Sequence, residues 1–270
     1  MTNKPSVALI GAGSMGGALM KGWLAAGTID ASRSAVFDPG VNDDMNALCE
    51  KHGVGVNPDI KSGFDAVVIA VKPQMADSAL PAYAPLAQNA IAISVMAGTS
   101  IAKAATALGG AAQVARAMPN LPAAIGRGVS GLYAPETINE EGRDLIEKLM
   151  RAAGDVVWVE SEKDIDAVTA VSGSGPAYFF LLTEALADAG EAAGLDRSAA
   201  ASLARATLAG AGALIDVETR SPSQMRKAVT SPGGTTEAAL QILDGEDGAL
   251  RKLVKEAVAA AARRAAELTK

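Results

Sequence analysis

Strand-length apolar runs alternate with amphipathic stripes through the first half of the chain, and stripes of helical period alone fill the second half. Residues 7–10, 34–37, 64–71, 91–96 and 113–118 are runs without a polar face, the pattern of strands buried on both sides of a parallel sheet. Residues 54–56 add a short strand or strand-like link. Between the first two runs Met15, Leu19 and Trp23 recur at i, i+4 and i+8, which predicts a helix. Further helices are expected near 42–51, from 101 through 108 and over 136–153, with 128–133 and 155–159 as additional sheet elements. This alternation specifies an α/β fold: a Rossmann-type, doubly wound parallel sheet with helices on both faces, over residues 1–160. From 161 to 270 no strand pattern appears, and alanine-rich helices are expected over 163–169, 176–193, 197–216, 221–229, 235–244 and 248–268. On the last of these Leu250, Leu253, Val254, Ala257, Val258 and Ala261 share one stripe, which reads as core or as a subunit interface between helical domains.

The turn after the first run carries the sharpest signal. Gly11-Ala12-Gly13-Ser14-Met15-Gly16 is a Gly-x-Gly-x-x-Gly sequence between a strand and a helix. There Gly11 permits the turn, Gly13 admits a pyrophosphate to the backbone and Gly16 lets helix and strand pack closely. The helix N-terminus adds unpaired N–H groups and a partial positive charge for the phosphates. Asp38, at the end of the second run, fits a carboxylate that accepts from ribose hydroxyls and repels a 2′-phosphate; Asp38-Pro39-Gly40 is equally an ordinary turn. Lys72, before Pro73, stands where a strand's C-terminal end meets a dinucleotide, and reads as a phosphate or ribose contact or as a solvated strand end.

Composition narrows the classes. The 270 residues are 49% hydrophobic and 20% charged, with a formal net charge of −6. That charge argues against nucleic acid or an anionic membrane as partner. Cys49 is the one cysteine, so no internal disulfide forms; it reads as core filling in a reducing compartment. No secretory signal is visible and no uninterrupted apolar run reaches the roughly 20 residues of a membrane span, so a cytoplasmic protein is expected.

Two segments of the helical half combine glycines and hydroxyls ahead of a helix: Ser172-Gly173-Ser174-Gly175-Pro176 and Ser231-Pro232-Gly233-Gly234-Thr235-Thr236. Each reads as helix capping, with Thr235 or Thr236 as N-cap, or as a carboxylate cradle of N–H and hydroxyl groups. His52 is the one histidine, placed as a solvated helix end, and no lysine lies between Lys163 and Lys227. Oxidation of an alcohol needs a positioned base, which this half lacks; Tyr178 reads as packing or as a proton donor. An imine nitrogen is itself basic, so hydride addition to C=N needs mainly orientation and a hold on the substrate.

Together with Ala70-Val71-Lys72-Pro73 and Arg116-Ala117-Met118-Pro119-Asn120, these motifs resemble the Δ1-pyrroline-5-carboxylate reductase family nearly end to end. The resemblance implies hydride transfer from NADPH or NADH to the C=N carbon of pyrroline-5-carboxylate, giving L-proline. It implies that Gly11, Gly13, Ser14, Met15 and Gly16 hold the pyrophosphate. Ala70, Lys72, Pro73, Ala97 and Gly98 would flank the nicotinamide half, with Asn120 nearby. Ser172, Gly173, Ser174, Gly233, Gly234 and Thr235 would bind the cyclic imino acid, with Ser231 and Thr236 as catalytic candidates and Thr236 at the ring nitrogen. It also implies a homodimer or a ring of dimers, and no metal. Members that prefer NADPH usually carry hydroxyl or basic residues where this chain has Asp38-Pro39-Gly40, which leans towards NADH or dual use. Two other readings compete: a 3-hydroxy-acid dehydrogenase, which needs a lysine in the lysine-free stretch, and a non-catalytic dinucleotide sensor, which needs no carboxylate cradles.

Overall fold

A computed structural model describes residues 4–111 and 113–269. In chain order the elements are β1 (Val7–Ile10), α1 (Ser14–Ala26), β2 (Ala35–Phe37), α2 (Asp43–His52), β3 (Gly55–Val56), β4 (Ala66–Ile69), α3 (Ala76–Ala79), β5 (Ile91–Ser94), α4 (Ile101–Ala107), β6 (Val114–Met118), β7 (Gly128–Tyr133), α5 (Glu140–Arg151) and β8 (Gly154–Trp158). Six helices follow: α6 (Asp164–Val168), α7 (Gly175–Ala192), α8 (Arg197–Val217), α9 (Pro222–Ala228), α10 (Thr235–Asp244) and α11 (Ala249–Leu268). Short polar residues start many of them, as their helix-capping chemistry requires: Asn42, Ser100, Asn139 and Ser221 each accept from a backbone N–H three residues on.

The strands form one eight-stranded sheet in the order β3-β2-β1-β4-β5-β6-β7-β8. Every residue of β1, β4 and β5 is buried, which is why these strands read as unbroken apolar runs. Their side chains alternate between two cores. Val7, Leu9, Val68 and Ile93 pack on one face with Leu19, Trp23 and Leu149, while Ala8, Ile10, Val67 and Ile69 pack on the other with Leu80 and Leu86. The sheet is not parallel throughout, as the sequence pattern suggested: β7 runs antiparallel to β6, while β8 is parallel to β7. Residues 119–127 make only a tight 3-10 turn at Leu121–Ile125, too short for the roughly dozen-residue crossover of a parallel pair. The predicted helix over 136–153 starts later, because Asn139 caps it.

Two compact units emerge, residues 1–174 with 261–270 and residues 175–260. The compositional break near 160 falls earlier because α6 lies against the sheet. Ile165 is buried, and a Cβ at Gly131 of β7 would sit 2.5 Å from Val168. In the second unit α7 and α8 pack closely: a Cβ at Gly190 would stand 3.2 Å from Ala200, and Ala200 and Ala204 are buried. Large apolar side chains there face outward, among them Phe179, Leu181, Leu203 and Ile242. Asp164–Ala192 and Arg197–Val217 are, by length and composition alone, long and apolar enough to cross a membrane, although neither is an uninterrupted apolar run.

Trp23 joins α1 to α5: its side chain is fully buried and its indole N–H donates to the Leu149 carbonyl at 2.8 Å. Trp23→Ala removes a large core side chain and orphans that carbonyl, for an expected cost of about 3–5 kcal/mol. Urea unfolding of the variant measures it, and a loss below about 1 kcal/mol would contradict this packing.

Candidate active site

The strand ends β1, β4 and β5 point their C-termini to one edge of the sheet, where the Gly-rich turn sits. Gly11 has φ +93°, and a Cβ on it would lie 2.8 Å from the Ala70 carbonyl. A Cβ on Gly16 would collide with the Gly11 carbonyl oxygen and stand 3.1 Å from the Ala70 side chain. Turn, helix and the end of β4 therefore meet with no side chain between them. Gly13 is different: a Cβ there would meet nothing within 4 Å. It is the N-cap of α1, has no side-chain cap, and leads into exposed Ser14 and half-buried Met15. An uncapped helix N-terminus beside open space, with no acidic residue in its first turn, fits a pyrophosphate.

Asp38 joins this turn. One carboxylate oxygen accepts from the Ala12 N–H at 2.7 Å and the other from the Gly40 N–H at 2.7 Å. Asp38-Pro39-Gly40 is therefore a turn closed by its own side chain, and the same carboxylate also reaches the Gly-rich loop at Ala12. Asn57, which drew no attention in the sequence, hydrogen-bonds the main chain of Asp38 on both sides. Its only advance signal was Asn-Pro directly after an apolar pair.

Lys72 is exposed and precedes the 3-10 turn Pro73–Met75. Ala97 and Gly98 follow β5, with Gly98 at φ +62° and within contact of Leu268, whose Cβ a Gly98 side chain would meet at 2.7 Å. The start of α4 just beyond is held by Glu162, which accepts from the Ile101 N–H at 2.7 Å and pairs with Arg116 at 3.4 Å. Arg116 is 2% exposed; burial lowers its pKa, and the carboxylates of Glu162 and Asp166 oppose that shift. Asn120 is also buried and committed: it accepts from the Val129 N–H at 3.0 Å and donates to the Ser172 carbonyl at 3.1 Å. Its amide acts as a bridge inside the first unit.

The two glycine–hydroxyl segments differ from expectation. Thr169–Gly173 is a π-helical turn between α6 and α7, not an open loop: the Ser174 N–H donates to the Thr169 carbonyl and the Ser172 hydroxyl to the Val168 carbonyl. Ser172, Gly173 and Ser174 thus belong to the first unit and lie on a helical bulge. Ser231–Thr236 lies in the second unit, where the N-cap of α10 is Gly234 rather than a threonine. Thr235 and Thr236 occupy its first turn, exposed and half-buried respectively. The Gly233 N–H is engaged by the Glu237 carboxylate at 2.7 Å and the Gly234 N–H by the Ser231 carbonyl at 3.0 Å. At its other end α10 is fastened by Asp244, which accepts from Arg226 of α9 at 2.6 Å and from Arg251 of α11 at 2.6 and 2.8 Å.

Comparison with known proteins matches residues 162–268 to the family described as pyrroline-5-carboxylate reductase dimerisation, and residues 6–98 to NADP oxidoreductase, coenzyme F420-dependent. The pyrroline-5-carboxylate reductase of Pseudomonas aeruginosa is 39% identical, with 98% of this chain and 97% of that protein aligned. That of Pisum sativum is 37% identical over 100% of this chain and 98% of its own. Among solved structures, a pyrroline-5-carboxylate reductase from Coxiella burnetii superposes with a TM-score of 0.90 at 38% identity, covering 99% of this chain and 100% of its own. A pyrroline carboxylate reductase from Plasmodium falciparum, solved with NADP bound, gives a TM-score of 0.82 at 26% identity, with both chains fully covered.

The two arginines lower the Asp244 pKa to about 2, Arg251 contributing most. A carboxyl whose folded pKa is depressed stabilises the fold above its ordinary value of 3.8 and loses that contribution as pH falls towards 2. Acid unfolding of Asp244→Asn should therefore lack the part of the pH dependence between 3.8 and 2 seen in the parent. Identical slopes in both proteins across that window would show that the pair is not formed.

Proposed function

The chain belongs to the pyrroline-5-carboxylate reductase family and is an NAD(P)H-dependent enzyme of proline formation, and from that premise we propose how its residues divide the work. The observation that carries the proposal is the open, uncapped N-terminus of α1 beside Gly13, closed from below by Gly11, Gly16 and Ala70. Gly11, Gly13, Ser14, Met15 and Gly16 take the pyrophosphate on backbone N–H groups. Asp38 faces the adenosine ribose, and Ala70, Lys72, Pro73, Ala97 and Gly98 line the nicotinamide half. Asn120 supports this edge from behind. When bound, the reduced nicotinamide supplies the hydride.

For the substrate, Ser231, Gly233, Gly234 and Thr235 at the start of α10 are assigned to the carboxylate of the cyclic imine, which takes the place of the Glu237 carboxylate on the Gly233 N–H. Ser172, Gly173 and Ser174 are kept as separate candidates in the first unit. The Thr236 hydroxyl hydrogen-bonds the ring nitrogen and fixes the C=N plane. Hydride joins the imine carbon, the C=N π pair moves to nitrogen, and the proton already on that nitrogen stays there. No histidine or lysine is required, in keeping with a helical half whose residues 164–226 contain neither. The chain forms an oligomer through its dimerisation half; the outward Leu250, Leu253 and Val254 of α11 and the apolar faces of α7 and α8 are assigned to the homodimer interface. We assign a cytoplasmic location, assembly of dimers into rings, and no membrane or nucleic-acid partner.

Oxidation of NADH and NADPH with pyrroline-5-carboxylate, run in parallel, tests the cofactor half. Turnover is expected with both, with kcat/KM for NADH at least equal to that for NADPH; a tenfold NADPH advantage would mean Asp38 turns away from the ribose. Thr236→Ala tests the substrate half. Loss of one hydrogen bond to a charged ring nitrogen should lower kcat/KM for the imine about 10- to 100-fold. The Kd for NADH should stay within about twofold, and an unchanged kcat/KM would remove Thr236 from the site.

A further inference from the structure

Asn57 is the one described residue other than glycine whose φ is positive, at +47°. Asparagine tolerates this left-handed conformation better than most residues, and the turn after β3 accounts for the backbone. It does not account for the side chain. The Asn57 Oδ1 accepts from the Asp38 N–H at 2.9 Å, and its Nδ2 donates to the Asp38 carbonyl at 2.9 Å. The two bonds fix the amide orientation, since a flipped amide would set donor against donor and acceptor against acceptor. The Asn57 N–H is itself tied to the Val36 carbonyl of β2 at 2.8 Å, so the clamp is anchored in the sheet.

Asp38 is thus gripped twice. Asn57 holds its peptide units from behind, and the Ala12 and Gly40 N–H groups hold its carboxylate in front. We propose that Asn57 is a positioning residue that sets the choice between NADH and NADPH, by keeping the Asp38 carboxylate where a ribose 2′-phosphate would have to lie. This rests on the assignment of Asp38 to the ribose made above. Two like charges repel more steeply the closer they are held, so discrimination depends on Asp38 being unable to rotate away. With the amide gone, the peptide units flanking Asp38 gain freedom, the carboxylate can swing aside, and the penalty on a 2′-phosphate falls.

The test is the ratio of kcat/KM for NADPH to that for NADH in the full-length enzyme, measured for Asn57→Gly, Asn57→Ala and Asp38→Ser. Glycine removes the amide and keeps the positive φ without strain, though it loosens the backbone; alanine removes the amide and adds backbone strain instead. Asn57→Gly should move the ratio towards NADPH about three- to tenfold, the scale of one or two hydrogen bonds, with Tm little changed. Asp38→Ser should move it in the same direction and further. A ratio shifted by Asp38→Ser and by Asn57→Ala but not by Asn57→Gly would overturn the role of the amide and leave Asp38 at the ribose. A ratio that Asp38→Ser leaves unmoved would overturn both the ribose assignment and the role of Asn57.

Discussion

The structure depends on the absence of side chains at Gly11 and Gly16. Neither position has room for a Cβ, because the Gly11 carbonyl, the Ala70 backbone and the start of α1 already fill it. Glycine usually weakens an ordered segment by its conformational freedom, and here that cost is accepted so that a helix can begin directly against two strand ends. The consequence is positional. The N-terminus of α1 opens over β1 and β4, between the strands that lead away to β2 and to β5, and this is the crevice of an open α/β sheet where ligands are bound. Asp38 and the loops after β4 and β5 then fall along the same edge without further design.

The loop after β5 shows how strongly that edge is held. Buried Arg116 is paired with Glu162, and the same carboxylate binds the first backbone N–H of α4. Below it Leu268 packs against Gly98 and the Thr269 hydroxyl donates to Asp166 at 3.2 Å, so the end of the chain closes on the same loop. A guanidinium removed from water needs its partner in place, which makes this contact one that breaks as a unit. The loop that is assigned to the nicotinamide therefore rests on β6, α6 and the last turn of α11 together.

How much of this was legible depended on whether the signal was local. The buried strands could be read because a strand covered on both faces must be apolar throughout, and Gly11–Gly16 because its glycines answer local collisions. The reversal of β7 was hidden, since an antiparallel strand buried in the sheet carries the same residues as a parallel one. The Ser172–Ser174 segment looked like a loop because small residues and glycine suit a π-helical turn as well as an open one. Asn-Pro marked Asn57 only as a turn, and no pattern marked Glu162, because each acts on a backbone group distant in sequence, Asp38 and Ile101. The helix over 235–244 was legible, but neither Thr235 nor Thr236 is its N-cap, because Gly234 takes that position.

The helical half follows a different constraint. Between residues 175 and 260 the buried apolar side chains are alanines, Ala200 and Ala204, while many leucines, phenylalanines and isoleucines are exposed. Such a unit buries too little apolar surface to be stable on that surface alone, and alanine-lined contacts between α7 and α8 add proximity rather than area. The same composition gives these helices the hydropathy of membrane spans, so hydropathy cannot separate lipid from protein as the covering medium. The match over 162–268 is to a dimerisation family, which supports oligomerisation through this half. Burial against a second chain adds the apolar area that α7 and α8 do not supply between themselves.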